Sequence, residues 1–131
     1  THRQSSAASD VYKRQLHFRA ADLVVYPSYY EGQGLIPLEA LASGTPVVTV
    51  NQPPLTEMID ESVGGLFTCG DHEDLARAVN HCLDHPEERT EQMRKGRDRV
   101  LAKFTYEHNA EAYEAIYSLL FAEDHLENEH P

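Results

Sequence analysis

Short apolar runs alternate with a helical pattern in the first half of the chain. Leu23–Tyr26 (LVVY) and Thr45–Val50 (TPVVTV) are continuous apolar-type runs, and Gly64–Thr68 (GGLFT) is a shorter one. Such runs are typical of strands buried on both faces, as in a parallel sheet. Between the first two, Leu35–Ser43 (LIPLEALAS) is predicted to be a short helix, because a proline fits its first turn and a glycine follows its end. One or two helical turns are expected over Leu55–Glu61.

Three longer helices are predicted to follow the third strand. The first begins after the carboxylate cap Asp71 and ends before Pro86, the second runs from about Glu87 to Lys103, and Thr105 caps the third. The residues expected to face inward are Leu75, Val79 and Cys82 in the first helix, Met93, Val100 and Leu101 in the second, and Ala110, Tyr113, Ile116, Tyr117 and Leu120 in the third.

This order of elements predicts an α/β fold with a parallel sheet. Strands that alternate with helices are joined by right-handed crossovers. About three strands are followed by C-terminal helices, and no glycine-rich strand-to-helix start precedes Leu16. We therefore expect residues 16–122 to be the second half of a doubly wound, Rossmann-like sheet, with a polar tail over residues 123–131.

The first fifteen residues differ from the rest of the chain. Thr1–Gln15 (THRQSSAASDVYKRQ) are polar, rich in Ser and Ala, and without periodicity. Their SAASDVYKRQ core resembles translated sequencing-adapter read-through. We predict that residues 1–15 are a non-native or disordered extension and exclude them from reasoning about the fold. A genuine extension, disordered or helical, is the alternative.

Charge and cysteine content exclude several classes of protein. Eleven Lys and Arg stand against 22 Asp and Glu, a net charge of −11, which does not fit a nucleic-acid partner because phosphate neutralisation needs clustered cations. No apolar run approaches the ~20 residues that span a bilayer. Two cysteines, Cys69 and Cys82, make no disulfide framework. A reduced, cytoplasmic protein is expected.

Most of the candidate chemistry lies in Glu31–Gly44 (EGQGLIPLEALASG). Glu31 is predicted in the loop at the carboxyl end of the first strand, and Glu39 about one turn into the following helix. Open α/β sheets bind ligands at that edge. A carboxylate there can accept hydrogen bonds from a vicinal diol such as a ribose.

The loop and helix start are suited to a phosphate. Gly32 and Gly34 let the backbone turn sharply and approach a ligand closely. Free backbone N–H groups near Gly34, Leu35 and Ile36 would point towards a group above the helix start, an arrangement that favours an anion.

The segment resembles the E-x7-E signature of retaining family 4 glycosyltransferases, which have the GT-B fold. The resemblance covers essentially Leu16–Leu120. Besides Glu31–Gly44 it rests, in order, on Ala21–Ser28 (ADLVVYPS), Gly44–Val48 (GTPVV), Leu55–Ile59 (LTEMI), Gly64–Phe67 (GGLF), Asp71–Ala78 (DHEDLARA), Pro86–Arg89 (PEER) and Phe104–Tyr106 (FTY).

The resemblance implies transfer of a sugar, with retention, from a nucleotide diphosphate sugar to an unknown acceptor. It places Glu31 in the active site facing the donor sugar, Glu39 on the ribose diol, and the N–H groups of Gly34 and Leu35 on the diphosphate. It implies no metal and no cofactor besides the donor substrate. Gln33 stands where an aromatic residue is more usual, which leaves the contacts to the donor sugar open.

The acidic charge leaves this site without a cation. Between Arg19 and Arg77 the sequence has no Lys or Arg but nine Asp and Glu, and carboxylates repel a diphosphate. The resemblance implies that an Arg and a Lys earlier in the same domain supply the charge, and that a missing N-terminal domain binds the acceptor. We therefore expect the chain to be a fragment that does not transfer sugar alone.

Other interpretations remain open. One is a non-catalytic α/β binding module, or one that self-associates through an exposed sheet edge. Another is a different GT-B enzyme, such as a nucleotide-sugar epimerase. Membrane association would fit relatives with membrane acceptors, but the acidic segment does not support it. His81 and His85 share a helix face on either side of Cys82; we expect both to point outward and predict no metal site.

Overall fold

The computed structural model describes residues 6–127, with side chains described for residues 10–121. Its elements are α1 (Ser6–Ala20), β1 (Val24–Tyr26), α2 (Leu35–Ala42), β2 (Val47–Val50), α3 (Leu55–Met58), β3 (Gly64–Phe67), α4 (His72–Asp84), α5 (Pro86–Lys103) and α6 (Tyr106–Glu127). The predicted order of strands and helices is confirmed. The polar tail predicted from residue 123 continues as helix to residue 127, and residues 128–131 lie outside the described residues.

The three strands form a parallel sheet in the order β1–β2–β3. Val47 of β2 pairs with Val24 of β1 on one side and with Gly64 of β3 on the other. All four residues of β2 are buried because α2, α3 and α4 pack against this central strand. The predicted α/β fold, with a parallel sheet followed by C-terminal helices, is confirmed. The carboxyl ends of all three strands therefore lie at one edge of the sheet.

Strand β1 is less buried than its apolar run predicts. Val24 and Tyr26 are half-buried, but Val25, whose side chain lies on the opposite face of the sheet, is 41% exposed. Helix α2 packs against β1, and none of the described helices buries Val25. The prediction of burial on both faces was wrong for this edge strand. An apolar run indicates that both faces of a strand could be buried, but burial also requires another element to pack on each face.

The start of α4 is as predicted. The side chain of Asp71 accepts hydrogen bonds from the backbone N–H groups of Glu73 and Asp74, each at 3.0 Å. Two of the donors that a helix start leaves without intrahelical partners are thereby satisfied. Cys82 is buried against the sheet side of α4, as its position in the apolar repeat predicts.

The inward faces predicted for α5 and α6 were largely wrong. In α5, Val100 is buried, but Met93 is 40% and Leu101 58% exposed. The predicted inner residues of α6 are all exposed, the larger ones by more than half; they are Ala110, Tyr113, Ile116, Tyr117 and Leu120. Helical spacing identifies residues that share a face, but a face is buried only where another element covers it, and none of the described elements covers this one.

Two polar side chains of α5 fix the segment before β3. Gln92 is buried, and its amide nitrogen donates to the carbonyl oxygens of Glu61 at 3.0 Å and Gly64 at 3.2 Å. Arg99 donates to the carbonyl oxygen of Met58 at 3.1 Å. These hydrogen bonds tie α5 to the end of α3 and to the first residue of β3.

Candidate functional site

The loop between β1 and α2 begins the candidate site at the carboxyl edge of the sheet. Gly34 ends the loop in a left-handed conformation, with φ of +75°, and its carbonyl oxygen accepts the first helical hydrogen bond from Leu38 at 3.2 Å. A side chain at this position would meet Leu55 and Met58 of α3. The position therefore favours glycine both for its backbone conformation and for its contacts.

Glu31 lies in this loop with both carboxylate oxygens hydrogen-bonded. The hydroxyl of Tyr26, the last residue of β1, donates to Oε2. The backbone N–H groups of Gly32 and Gln33 donate to Oε1 at 3.0 and 3.3 Å. The carboxylate is thus held between the end of the strand and the backbone of its own loop.

These contacts shift the pKa values of Glu31 and Tyr26 in opposite directions. The hydroxyl of Tyr26, and then the backbone N–H groups of Gly34 and Gln33, hold the pKa of Glu31 below its usual range. The hydrogen bond to Glu31, with a smaller effect from burial, raises the pKa of Tyr26. Near neutral pH the pair therefore consists of a carboxylate and a protonated phenol.

The backbone N–H groups predicted to face a phosphate differ in their surroundings. That of Gly32 donates to the carboxylate of Glu31. Leu35 and Ile36 lie in the first turn of α2, where N–H groups have no intrahelical partner, and no side chain caps this helix. The N–H groups of Leu35 and Ile36 therefore form the part of the predicted anion site that best fits a phosphate, whereas that of Gly34 is directed at the carboxylate of Glu31.

Glu39, in the middle of α2, is paired with Arg14 of α1. The guanidinium donates through Nε to Oε2 at 2.6 Å and through Nη2 to Oε1 at 2.8 Å, and both side chains are half-buried. A diol held by Glu39 would use the same two oxygens. Sequence reasoning missed this pair because Arg14 lies in the excluded extension and no local spacing relates residues 25 positions apart.

The excluded extension is helical where it is described. Residues 6–15 form the first part of α1, and residues 1–5 lie outside the described residues. Among the described side chains of α1, Phe18 is the buried one. Phe18 lies after residue 15, so none of the described side chains of the predicted extension is part of the core.

Removing residues 1–15 is expected to shift the thermal unfolding midpoint by no more than about 3 °C, because the deleted part buries no described side chain and its ion pair with Glu39 is partly solvated. Phe18→Ala in the same chain is expected to lower the midpoint by about 10 °C, since truncating a buried Phe costs about 3 kcal/mol. Thermal melts followed by circular dichroism compare the two. A truncation as damaging as Phe18→Ala would contradict the prediction.

A pocket of about 110 Å³ adjoins the loop at the same edge. Pro27, Val50 and Phe67 line it from the ends of the three strands, together with Tyr29 of the loop and with Gly70, Asp71, His72 and Leu75 at the start of α4. Whole small-molecule sites measure about 300–1,000 Å³. The pocket therefore accommodates part of a ligand at most.

The remaining candidates add no second site in the described part of the chain. His81 and His85 are exposed, as predicted, with ring centroids 4.3 Å apart. Among the side chains described, those of residues 10–121, no three His, Cys, Asp or Glu come together as a metal site. Within residues 6–127, no helix combines the length and apolar character needed to cross a membrane.

Comparison with known proteins places this chain in a family. The chain matches the model of the family "Glycosyl transferases group 1" over residues 7–99. It is 38% identical over 99 residues to glycogen synthase of Mycobacterium tuberculosis, covering 74% of this chain and 24% of that protein. It is also 38% identical over 101 residues to D-inositol 3-phosphate glycosyltransferase of Saccharomonospora viridis, covering 76% and 23%.

Solved structures show the same architecture. Sucrose-phosphate synthase from Thermosynechococcus elongatus aligns with a TM-score of 0.73 and 37% identity, over 82% of this chain and 27% of that one. HepE of Anabaena, in complex with UDP, aligns with a TM-score of 0.70 and 26% identity, over 78% and 29%.

The fold is therefore that of the GT-B glycosyltransferases. The chain belongs to the glycosyl transferases group 1 family. It spans about a quarter of the length of the curated relatives it matches.

Proposed function

We propose that this chain is the donor-binding part of a retaining family 4 glycosyltransferase. The whole protein would transfer a sugar from a nucleotide diphosphate sugar to an acceptor bound by another domain. One observation carries the proposal: Glu31 and Glu39 lie on one loop–helix unit at the carboxyl edge of the sheet, with the first-turn N–H groups of Leu35 and Ile36 between them in sequence. Ligands of open α/β sheets bind at this edge.

Each part of the unit suits one part of the donor. The carboxylate of Glu31, ionised near neutral pH, would accept hydrogen bonds from the hydroxyls of the sugar. Glu39 would hold the ribose diol after release from Arg14. The N–H groups of Leu35 and Ile36 would face the diphosphate. The binding of UDP by HepE, a similar protein, supports a nucleotide donor here.

The diphosphate needs more positive charge than this loop–helix unit offers, because Arg14, the cation that reaches it, is paired with Glu39. A helix start stabilises an anion by only ~0.3–1 kcal/mol when exposed, and the stretch between Arg19 and Arg77 contains nine carboxylates and no Lys or Arg. Cations from elsewhere in the whole protein would stabilise the departing diphosphate while the acceptor attacks from the same face, without a metal. The chain by itself is expected to bind a donor weakly and not to transfer sugar.

Glu39→Gln is expected to weaken nucleoside diphosphate binding by about tenfold, because a neutral amide replaces the charged acceptor of the diol. UDP, ADP and GDP would each be titrated into the full 131-residue chain, and binding followed by amide chemical shifts. Glu111→Gln, an exposed glutamate of α6, is the matched control and is expected to bind like the unaltered chain. Equal affinities for the two variants would refute the role of Glu39, and no binding of any nucleotide to the unaltered chain would refute the proposed donor site.

A further inference from the structure

The backbone of Tyr26 is held by the sheet. It is the last residue of β1 and pairs with Thr49 of the central strand. The hydroxyl of Thr49, a fully buried residue, donates to the carbonyl oxygen of Tyr26 at 2.9 Å. The backbone from which the Tyr26 ring projects is therefore held by the sheet, and the ring itself packs against the hydrophobic core.

The Tyr26 hydroxyl gives Glu31 a second point of attachment. The backbone N–H groups of Gly32 and Gln33 hold Oε1, and both belong to the loop itself. Within the described part of the chain, the side-chain donor to Oε2 is Tyr26. The loop alone would fix one oxygen and leave the carboxylate plane free to turn, whereas two attachments from different elements fix its direction.

We propose that Tyr26 is a positioning residue that directs the Glu31 carboxylate towards a hydroxyl of the donor sugar. This inference rests on the proposed function. A carboxylate oxygen accepts two hydrogen bonds, so Oε2 can accept one from Tyr26 and one from a ligand hydroxyl. Because the phenol is anchored to the sheet, the remaining acceptor direction of Oε2 is fixed before the donor binds, which reduces the cost of ordering it on binding.

In the described residues, no Lys or Arg side chain is in contact with the hydrogen-bonded pair of Tyr26 and Glu31. The contacts of Glu31 in the described residues are the Tyr26 hydroxyl and backbone N–H groups, and Arg14, on the neighbouring helix, is engaged by Glu39. A change in the titration of Glu31 after alteration of Tyr26 therefore reports on this one hydrogen bond.

The first test is Tyr26→Phe in the full chain, with the side-chain carboxyl carbon of Glu31 followed by NMR as the pH is lowered. Loss of the hydroxyl removes the strongest stabilisation of the carboxylate form, so the pKa of Glu31 is expected to rise towards its ordinary value. Tyr30→Phe removes a hydroxyl from an exposed ring of the same loop and is expected to leave the pKa unchanged. An unchanged pKa in Tyr26→Phe would overturn the proposal.

The second test separates positioning from a general effect on the fold. UDP-glucose is expected to bind Tyr26→Phe about tenfold more weakly than the unaltered chain, while UDP binds equally to both, because Glu31 would face only the sugar. Equal loss of both affinities would show that Tyr26 supports the fold instead and would overturn the proposal. If the unaltered chain binds none of UDP, ADP and GDP and none of their glucose conjugates, the proposed function fails and the sugar-facing role fails with it, while the titration still decides whether Tyr26 holds Glu31.

A second variant covers the case in which Tyr26→Phe does not fold. Glu31→Gln removes the partner that raises the pKa of Tyr26, so the pKa of the Tyr26 phenol is expected to fall. NMR of the tyrosine ring carbons resolves this residue from the other tyrosines. A phenol that titrates at the same pH in Glu31→Gln would show that the pair does not exist in solution and would overturn the proposal.

Discussion

Gly64→Ala is expected to destabilise the protein severely. Gly64 begins β3, and a Cβ atom built there would lie 1.9 Å from the carbonyl oxygen of Val47 and 3.0 Å from its nitrogen. These atoms belong to the backbone of the central strand, which cannot move aside as a flexible side chain can. Overpacked cores that relax through side chains lose about 1–3 kcal/mol, so we expect a loss of more than about 4 kcal/mol here, against a total stability of about 5–15 kcal/mol.

The matched control for this variant is Gly32→Ala. A Cβ atom at Gly32 would meet nothing within 4 Å, and the loss is expected to be within about 0.5 kcal/mol. Urea unfolding followed by circular dichroism measures both variants. A Gly64→Ala protein within 1 kcal/mol of the unaltered chain would show that β2 and β3 do not pair in this register.

Gly34→Ala is expected to destabilise the chain by about 2–4 kcal/mol. The left-handed backbone, with φ of +75°, costs a residue with a side chain about 1–2 kcal/mol. The added Cβ atom would also lie 2.9 Å from Leu55 Cδ2 and 3.1 Å from the terminal atoms of Met58. Those side chains can shift, so the contact adds about 1–2 kcal/mol, at the lower end of overpacking costs.

Gly44→Ala separates the two contributions to the loss at Gly34. Gly44 has a similar φ of +81°, but its Cβ atom would meet nothing within 4 Å. Urea titrations are therefore expected to show a smaller loss for Gly44→Ala than for Gly34→Ala. Equal losses would mean that the contact of the loop with α3 has no energetic effect. Because Gly34 ends the loop that carries Glu31, we also expect Gly34→Ala to lose nucleotide binding while Gly44→Ala keeps it.

The sequence predicts the secondary structure of this chain well where local chemistry decides it. Apolar runs such as Thr45–Val50 contain the strands, and the carboxylate of Asp71 marks the start of α4 to the residue. Both signals act within a few positions along the chain. The parallel order of the sheet also follows, because strands alternating with helices are joined by crossovers of one hand.

Burial was predicted less well because it depends on distant elements. Val25 has the same apolar character as its neighbours but lies on an uncovered face of an edge strand. The apolar stripe of α6, with Tyr113 and Leu120 among its members, is regular in sequence yet exposed along its described length. In α5, the buried Gln92 has a polar side chain that no hydrophobic pattern would select.

In the candidate site, too, local positions were predicted and long-range contacts were not. Spacing placed Glu31 at a strand end and Glu39 in the following helix, and both elements are where the sequence predicts them. The partners of these glutamates were not predicted. Tyr26 reaches Glu31 only because the loop turns back on the strand, and Arg14 reaches Glu39 through the packing of two helices.

The acidic stretch around this site also governs how fast a ligand arrives. Nine carboxylates without Lys or Arg lie between Arg19 and Arg77, in a chain of net charge −11. A nucleoside diphosphate is an anion, so the two molecules repel each other before they touch. Salt shortens the range of that repulsion, to about 8 Å at physiological ionic strength. Added salt would thus accelerate their encounter, the reverse of its effect on partners of opposite charge.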